Sequence, residues 1–165
     1  MTHSPLNSIC YRPIGIIESP FASREGMPIQ ATGGEGVRGR IRLFEEYGRG
    51  LQDLHGFSHL ILIYHFHRTR ESRLVVTPFL DKTPRGVFAT RSPNHPNPIG
   101  LSTVRLLAIQ ETVLEIEDID ILDGTPLLDI KPYVPAFDHR QPEKVGWLEK
   151  AGGAGEWTKA DGRFR

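Results

Sequence analysis

LEIEDIDILDGTPLLDIKPY, residues 114–133, decides the fold. From Leu114 to Leu122 apolar and acidic residues interleave, read as the period-two pattern of a strand with one buried face and one wet face. Asp123-Gly124 then reads as a hairpin turn, because this pair accepts the positive φ that a two-residue connection demands, and Thr125-Pro126 opens the next strand. Working outward, short apolar runs recur between dense glycine and proline at residues 11–18, 36–44, 57–67, 74–80, 86–91, 101–110, 112–122 and 127–134. Helical signal is confined to 45–54 and 143–150. Eight strand-sized segments predict an all-β chain, a barrel or a sandwich.

At 165 residues the chain has the length of one domain, read as 1–165 with a core at about 11–148 and a glycine-rich tail at 149–165 that docks as an arm. Hydrophobic residues make up 38% and charged residues 24%, and the longest apolar run, LILIYHF at 60–66, is strand-sized rather than membrane-spanning. The opening MTHSPLNSICYRP has no basic start followed by an apolar run, and Cys10 is the only cysteine, so a cytoplasmic protein without disulfides or membrane partner is expected. Net charge is zero, yet residues 1–91 hold twelve Lys/Arg against eight Asp/Glu and the remainder eight against twelve. Arg38, Arg40 and Arg42 alternate on one strand face and read either as an RNA footprint or as a solvated surface.

Three constellations can carry chemistry. RSPNHPNPIG, residues 91–100, has three prolines that hold it as a stiff loop presenting Arg91, Ser92, Asn94, His95 and Asn97, a pre-organised wall for a small polar ligand or a self-satisfied connection. In the strand LLDIKPYV, Asp129, Lys131 and Tyr133 share one face, where they form an acid/base set or a plain ion-paired surface. His59, His65 and His67 share a parity, and His65-Phe66-His67 followed by Glu71 copies the spacing with which cupin barrels bind metal. That pattern breaks at Pro78, where glycine is needed, and residues 91–100 supply no second motif, so no metal is expected. GGEG lacks the context of a dinucleotide or phosphate loop, and no GxSxG is present.

Taken together, PIGIIESPF, GMPIQ, FSHLILIYHFHR, GVFATRSPNHPNPIGLS, DILDGTPLLDIKPYVP and the late GWL resemble the TrmO-type (TsaA-like, YaeB) tRNA methyltransferases, in family order from about Arg12 to Leu148. The resemblance implies a single-sheet antiparallel β-barrel with a few short helices, binding S-adenosylmethionine and acting as a homodimer, with no DNA partner. The implied reaction is N6-methylation of threonylcarbamoyladenosine beside the anticodon of tRNA. His95 stands where many relatives have arginine, Ile29 where some do, and the chain ends soon after GWL where longer relatives carry a further domain.

Carried onto this sequence, the cofactor contacts are Pro28, Ile29, Gln30, His67, Arg68, Arg91, Leu101, Asp120, Ile121, Leu122, Asp123 and Gly124. Arg91 suits the methionine carboxylate, and Asp120 or Asp123 a hydroxyl or amino group. Asp129 or Tyr133, biased by Lys131, is the expected base for the N6 proton, with His95 and Asn97 orienting the target. A methyltransferase of another RNA or a small molecule, a non-catalytic S-adenosylmethionine-binding module and a cupin-like metalloprotein are the competing readings.

Overall fold

The computed structural model describes residues 9–23, 27 and 35–150. Six strands close into an antiparallel barrel in the order β1-β2-β7-β6-β3-β8: β1 Gly15–Glu18, β2 Arg38–Leu43, β3 His59–His65, β6 Ile99–Gln110, β7 Val113–Glu117 and β8 Thr125–Pro132. The other two, β4 Val75–Val76 and β5 Arg85–Gly86, form a separate two-stranded sheet. Of barrel and sandwich, the barrel is therefore the observed architecture. The helical segments are short: 3-10 turns at Glu45–Leu51, Leu54–Gly56, Val87–Ala89 and Gly146–Lys150, and one α-helical turn, α1, at Pro135–Asp138.

Inward positions alternate along each strand, as the period predicts. Leu60, Leu62 and Tyr64 of β3 and Ser102 and Val104 of β6 are buried, while Ile61, Ile63 and Leu101 between them face outward. β3 and β8 shift register between Ile63 and Tyr64, leaving Leu128 without a partner, so Leu127 and Ile130 both turn toward the core. The mean burial of these strands is what excludes water from the barrel axis and gives each ladder hydrogen bond its value.

Three sequence expectations are corrected. β7 ends at Glu117 rather than Leu122, because Asp118 adopts a left-handed backbone with φ 66° and its carboxylate accepts from the Gly36 amide at 2.9 Å. Asp123-Gly124 is consequently no hairpin: β7 pairs with β2 and β6, whereas β8 pairs with β1 and β3. Gly124 does have φ 72°, so the local turn chemistry is right and only the pairing partner is wrong. The third is residues 86–91, where the chain forms a 3-10 turn at Val87–Ala89 in place of a strand. The residues between Asp118 and β8 plug the barrel instead, with Ile119 and Ile121 in the same core cluster as Ile17, Ile41 and Leu127. The C-terminal segment reaches this end too, since Trp147 Nε1 donates to the Ala89 carbonyl at 2.8 Å and Arg85 lies 5.8 Å over its ring. Residues 151–165, expected to dock as an arm, lie outside the described residues.

Gly100 sits opposite Tyr64 in the β3–β6 ladder, and a β-carbon there would overlap the Tyr64 ring, which Phe66 backs edge-on at 5.4 Å. Gly100→Ala should destabilise the fold by about 1–3 kcal/mol through overpacking, as read by urea denaturation with an unchanged m-value. An unaltered midpoint would show that the ring has room to yield.

Candidate functional site

The loop 118–124 is clamped to the end of β1. The Ser19 hydroxyl donates to the Ile121 carbonyl at 2.6 Å, the Ser19 amide donates to Asp123 Oδ1 at 3.0 Å, and the Asp123 amide donates to the Phe21 carbonyl at 2.9 Å. With Ile121 and Leu122 buried and Asp123 and Gly124 exposed, this clamp holds Asp120 at the barrel end. Asp120 Oδ1 accepts from the Ser102 hydroxyl at 2.6 Å, and Ser102 in turn lies 3.0 Å from the Tyr64 hydroxyl. Burial pushes the Asp120 carboxyl above the ordinary carboxylate range, opposed by the Ser102 hydrogen bond and by the charge of Arg91. Among the described residues Asp120 has no ion-pair partner.

Arg91 is exposed, and among the described residues it makes no hydrogen bond or ion pair. Its loop is knit firmly to the strand-free segment before β4. The Asn94 amide side chain donates to the Glu71 carbonyl at 2.9 Å, the Arg73 amide donates to the Asn94 carbonyl at 2.9 Å, and the Phe66 amide donates to the Pro98 carbonyl at 2.8 Å. His95 donates from Nε2 to the Thr90 carbonyl at 3.1 Å, with Phe88 edge-on at 5.7 Å. Asn97 is exposed and its carbonyl accepts from the Ile99 amide at 2.8 Å. The buried Asn94 Oδ1 has no hydrogen-bond partner among the described residues.

His67 departs from the shared face read for the three histidines, because β3 ends at His65 and the chain turns there. Its Nδ1 lies 3.3 Å from the Thr125 hydroxyl, which already donates to the Leu122 carbonyl at 2.7 Å. Thr125 must therefore accept, so Nδ1 carries the proton. Arg68 reaches to the Ala22 carbonyl at 2.9 Å. His67, Thr125, Asp120 and Arg91 thus come from four separate segments to the end of the barrel that the 118–124 loop closes. Pro28, Ile29 and Gln30 lie outside the described residues. Among the described residues no group of three or more His, Cys, Asp or Glu is arranged to hold a metal.

Two groups of expected residues stand elsewhere. Asp129 and Lys131 form an ion pair of 2.8 Å on the outer surface of β8, opposite Ile63 and Ile61, and Leu101 shares that outer surface. Tyr133 continues the row, its ring 6.4 Å from His59. On β2, Arg38, Arg40 and Arg42 do share one face, but each meets a glutamate on a neighbouring strand: Glu117 at 3.4 Å, Glu115 at 3.7 Å and Glu18 at 2.9 Å. Exposed pairs of this kind contribute little to stability, yet they cancel the charge of the face. Sequence reasoning missed Tyr64, Ser102, Ser19 and Thr125. The legible signal was polarity at inward parity, since Tyr64 and Ser102 interrupt otherwise apolar inner rows.

Residues 16–139 match the tRNA-methyltransferase O N-terminal domain. A probable S-adenosyl-L-methionine-binding protein of Pyrococcus abyssi is 54% identical over 156 residues, covering 94% of this chain and 85% of that one. The tRNA (adenine(37)-N6)-methyltransferase of Escherichia coli is 33% identical over 156 residues, covering 88% and 66%. A crystal structure of TrmO from Pseudomonas aeruginosa superposes with a TM-score of 0.70 at 36% identity, covering 89% of this chain and 63% of that one. The chain therefore spans somewhat less than two thirds of the length of the last two proteins, 66% and 63%. With the barrel, the motif order and the matched span in agreement, the chain belongs to the tRNA-methyltransferase O N-terminal domain family.

Proposed function

We propose that the protein binds S-adenosylmethionine at the barrel end and methylates N6 of adenosine 37 in tRNA, with the threonylcarbamoyl form of that adenosine as the specific substrate. One observation carries the reading: a partly buried carboxylate, Asp120, and an exposed guanidinium, Arg91, stand at the same barrel end, and among the described residues neither has an ion-pair partner. A zwitterionic ligand bearing an additional positive centre fits such a site, since Arg91 can fork onto a carboxylate while Asp120 meets a cation or hydroxyl. The names of the Pyrococcus abyssi and Escherichia coli relatives support the ligand and the reaction.

S-adenosylmethionine supplies an electrophilic methyl group on a sulfonium. What the chain must supply is orientation and removal of the N6 proton, because the urea-like nitrogen is a poor nucleophile while protonated. Arg91, Asp120, His67 and Arg68, with Pro28, Ile29 and Gln30, hold the cofactor in this reading, and His95 and Asn97 on the proline loop orient the target. Asp129 accepts the proton in this reading, ion-paired with Lys131 at 2.8 Å and on the same row as Tyr133. This assignment requires the target to approach the outer face of β8. A homodimer in the cytoplasm belongs to the same reading, and exposed Ile99 and Leu101 on the outer face of β6 are the surface a second copy would cover.

Three measurements test it. Arg91→Ala should weaken S-adenosylmethionine binding by about 1.5–3 kcal/mol in a calorimetric titration, the scale of a lost charge-assisted contact, and unchanged affinity would remove Arg91 from the site. Asp129→Asn should leave that affinity intact while slowing methyl transfer to tRNA on the order of 100-fold; a normal rate would move the base elsewhere. If the β2 arginines reach phosphates despite their glutamates, replacing each with Ala should reduce the slope of log affinity for tRNA against log salt by roughly one per arginine. A slope that does not change would assign the RNA to another face.

A further inference from the structure

Two buried side chains of the barrel that carry hydroxyls, Tyr64 and Ser102, stand on paired strands, two residues apart in register. Proton counting sets the direction of their hydrogen bonds. Ser102 has one hydroxyl proton and donates it to Asp120 Oδ1 at 2.6 Å, so at its contact with the Tyr64 hydroxyl, 3.0 Å away, it accepts. Burial, followed by the charge of Asp120, raises the Tyr64 hydroxyl far above its ordinary value, so its proton is present to be given. The chain of donors therefore runs one way, from Tyr64 to Ser102 to Asp120, and ends on a carboxylate. Each bond polarises the next, and a donor to the ionised form favours it. The arrangement depends on Gly100, whose missing side chain lets the Tyr64 ring lie across β6 and bring its hydroxyl to Ser102.

We propose that Tyr64 and Ser102 are positioning residues that hold the Asp120 carboxylate ionised and fixed in place to receive a cationic group of the ligand beside Arg91. The proposal rests on the S-adenosylmethionine reading, in which that group is the ammonium or the sulfonium. The charges that act on Asp120 come from Arg91 on the proline loop, while Tyr64 faces it from β3. Asp123, the other carboxylate after Asp120 in the loop, is exposed and engaged by the Ser19 amide.

The test is carbon-13 NMR titration of protein labelled at the aspartate carboxyls, without ligand, alongside calorimetric titration with S-adenosylmethionine over the same pH range. Asp120→Asn identifies the Asp120 resonance. Ser102→Ala should raise the Asp120 midpoint by on the order of one pH unit, Tyr64→Phe should raise it by less, and Ser102→Thr, which keeps the hydroxyl, should restore it. Affinity for S-adenosylmethionine should fall as pH drops through the Asp120 midpoint, because a cation prefers the ionised carboxylate, and in each variant the fall should be displaced with that midpoint. A midpoint unmoved by Ser102→Ala and Tyr64→Phe overturns the relay. A midpoint that moves while affinity ignores it overturns the role toward the ligand. Absence of binding by the wild-type protein at every pH would overturn the cofactor reading instead, and the ligand-free midpoints would still decide whether the relay exists.

Discussion

The pairing of β8 with both β1 and β3 closes the barrel, and the remaining structure follows from that closure. A closed sheet has no edge strand to leave unpaired, but it must fill its axis and seal its ends. The axis is filled by Ile17, Ile41, Leu60, Leu62, Val104, Leu114, Ile116 and Leu127, one or two from each strand. The end is sealed by the chain itself as it crosses from β7 to β8, where Ile119 and Ile121 enter the core. A direct hairpin would have made β7 and β8 neighbours, and β1 would then have had no partner on one side.

That crossing explains why the polar cluster lies where it does. Ile119 and Ile121 enter the core while the chain is out of any ladder, and the backbone of this loop is held by Ser19 and Phe21 of the neighbouring segment. Asp120 falls between two buried isoleucines and is carried inward with them. Its carboxylate survives there because Ser102 satisfies one oxygen and Arg91 offsets part of the charge. Clamping that makes the plug stable also leaves little freedom to be lost when a ligand meets it.

The basic character of the first part of the chain is distributed differently from its appearance in the sequence. On β2 every outward arginine is matched by a glutamate from β1 or β7, so the alternating face is a cross-strand ladder of opposite charges. Arg91, a single arginine in a proline loop, has no ion-pair partner among the described residues, and the loop's own hydrogen bonds run through Asn94, His95 and Pro98 instead. Position in the fold, rather than density of arginine, separates a surface charge from one available to a ligand.

The sequence alone determined most of the strand segments and a turn at Asp123-Gly124, because each depends on φ preferences or on a period carried by adjacent residues. It also carried the family, through long motifs such as GVFATRSPNHPNPIGLS and DGTPLLDIKPY. Arg91 and Asp120 lie inside the motifs GVFATRSPNHPNPIGLS and DILDGTPLLDIKPYVP that carry the resemblance. Which strands pair is a different matter: LEIEDIDIL slips its phase at the adjacent acids Glu117-Asp118, but that step does not say that the chain leaves the ladder there, which follows from Asp118 bonding Gly36 of a distant segment. Tertiary structure alone decided that Tyr64 and Ser102, 38 residues apart, share a hydrogen bond, that Asp120 joins them, and that β2 meets glutamates on both sides. These are contacts between residues remote in the chain, fixed by barrel closure and by the volume left over Gly100, neither of which any local pattern encodes.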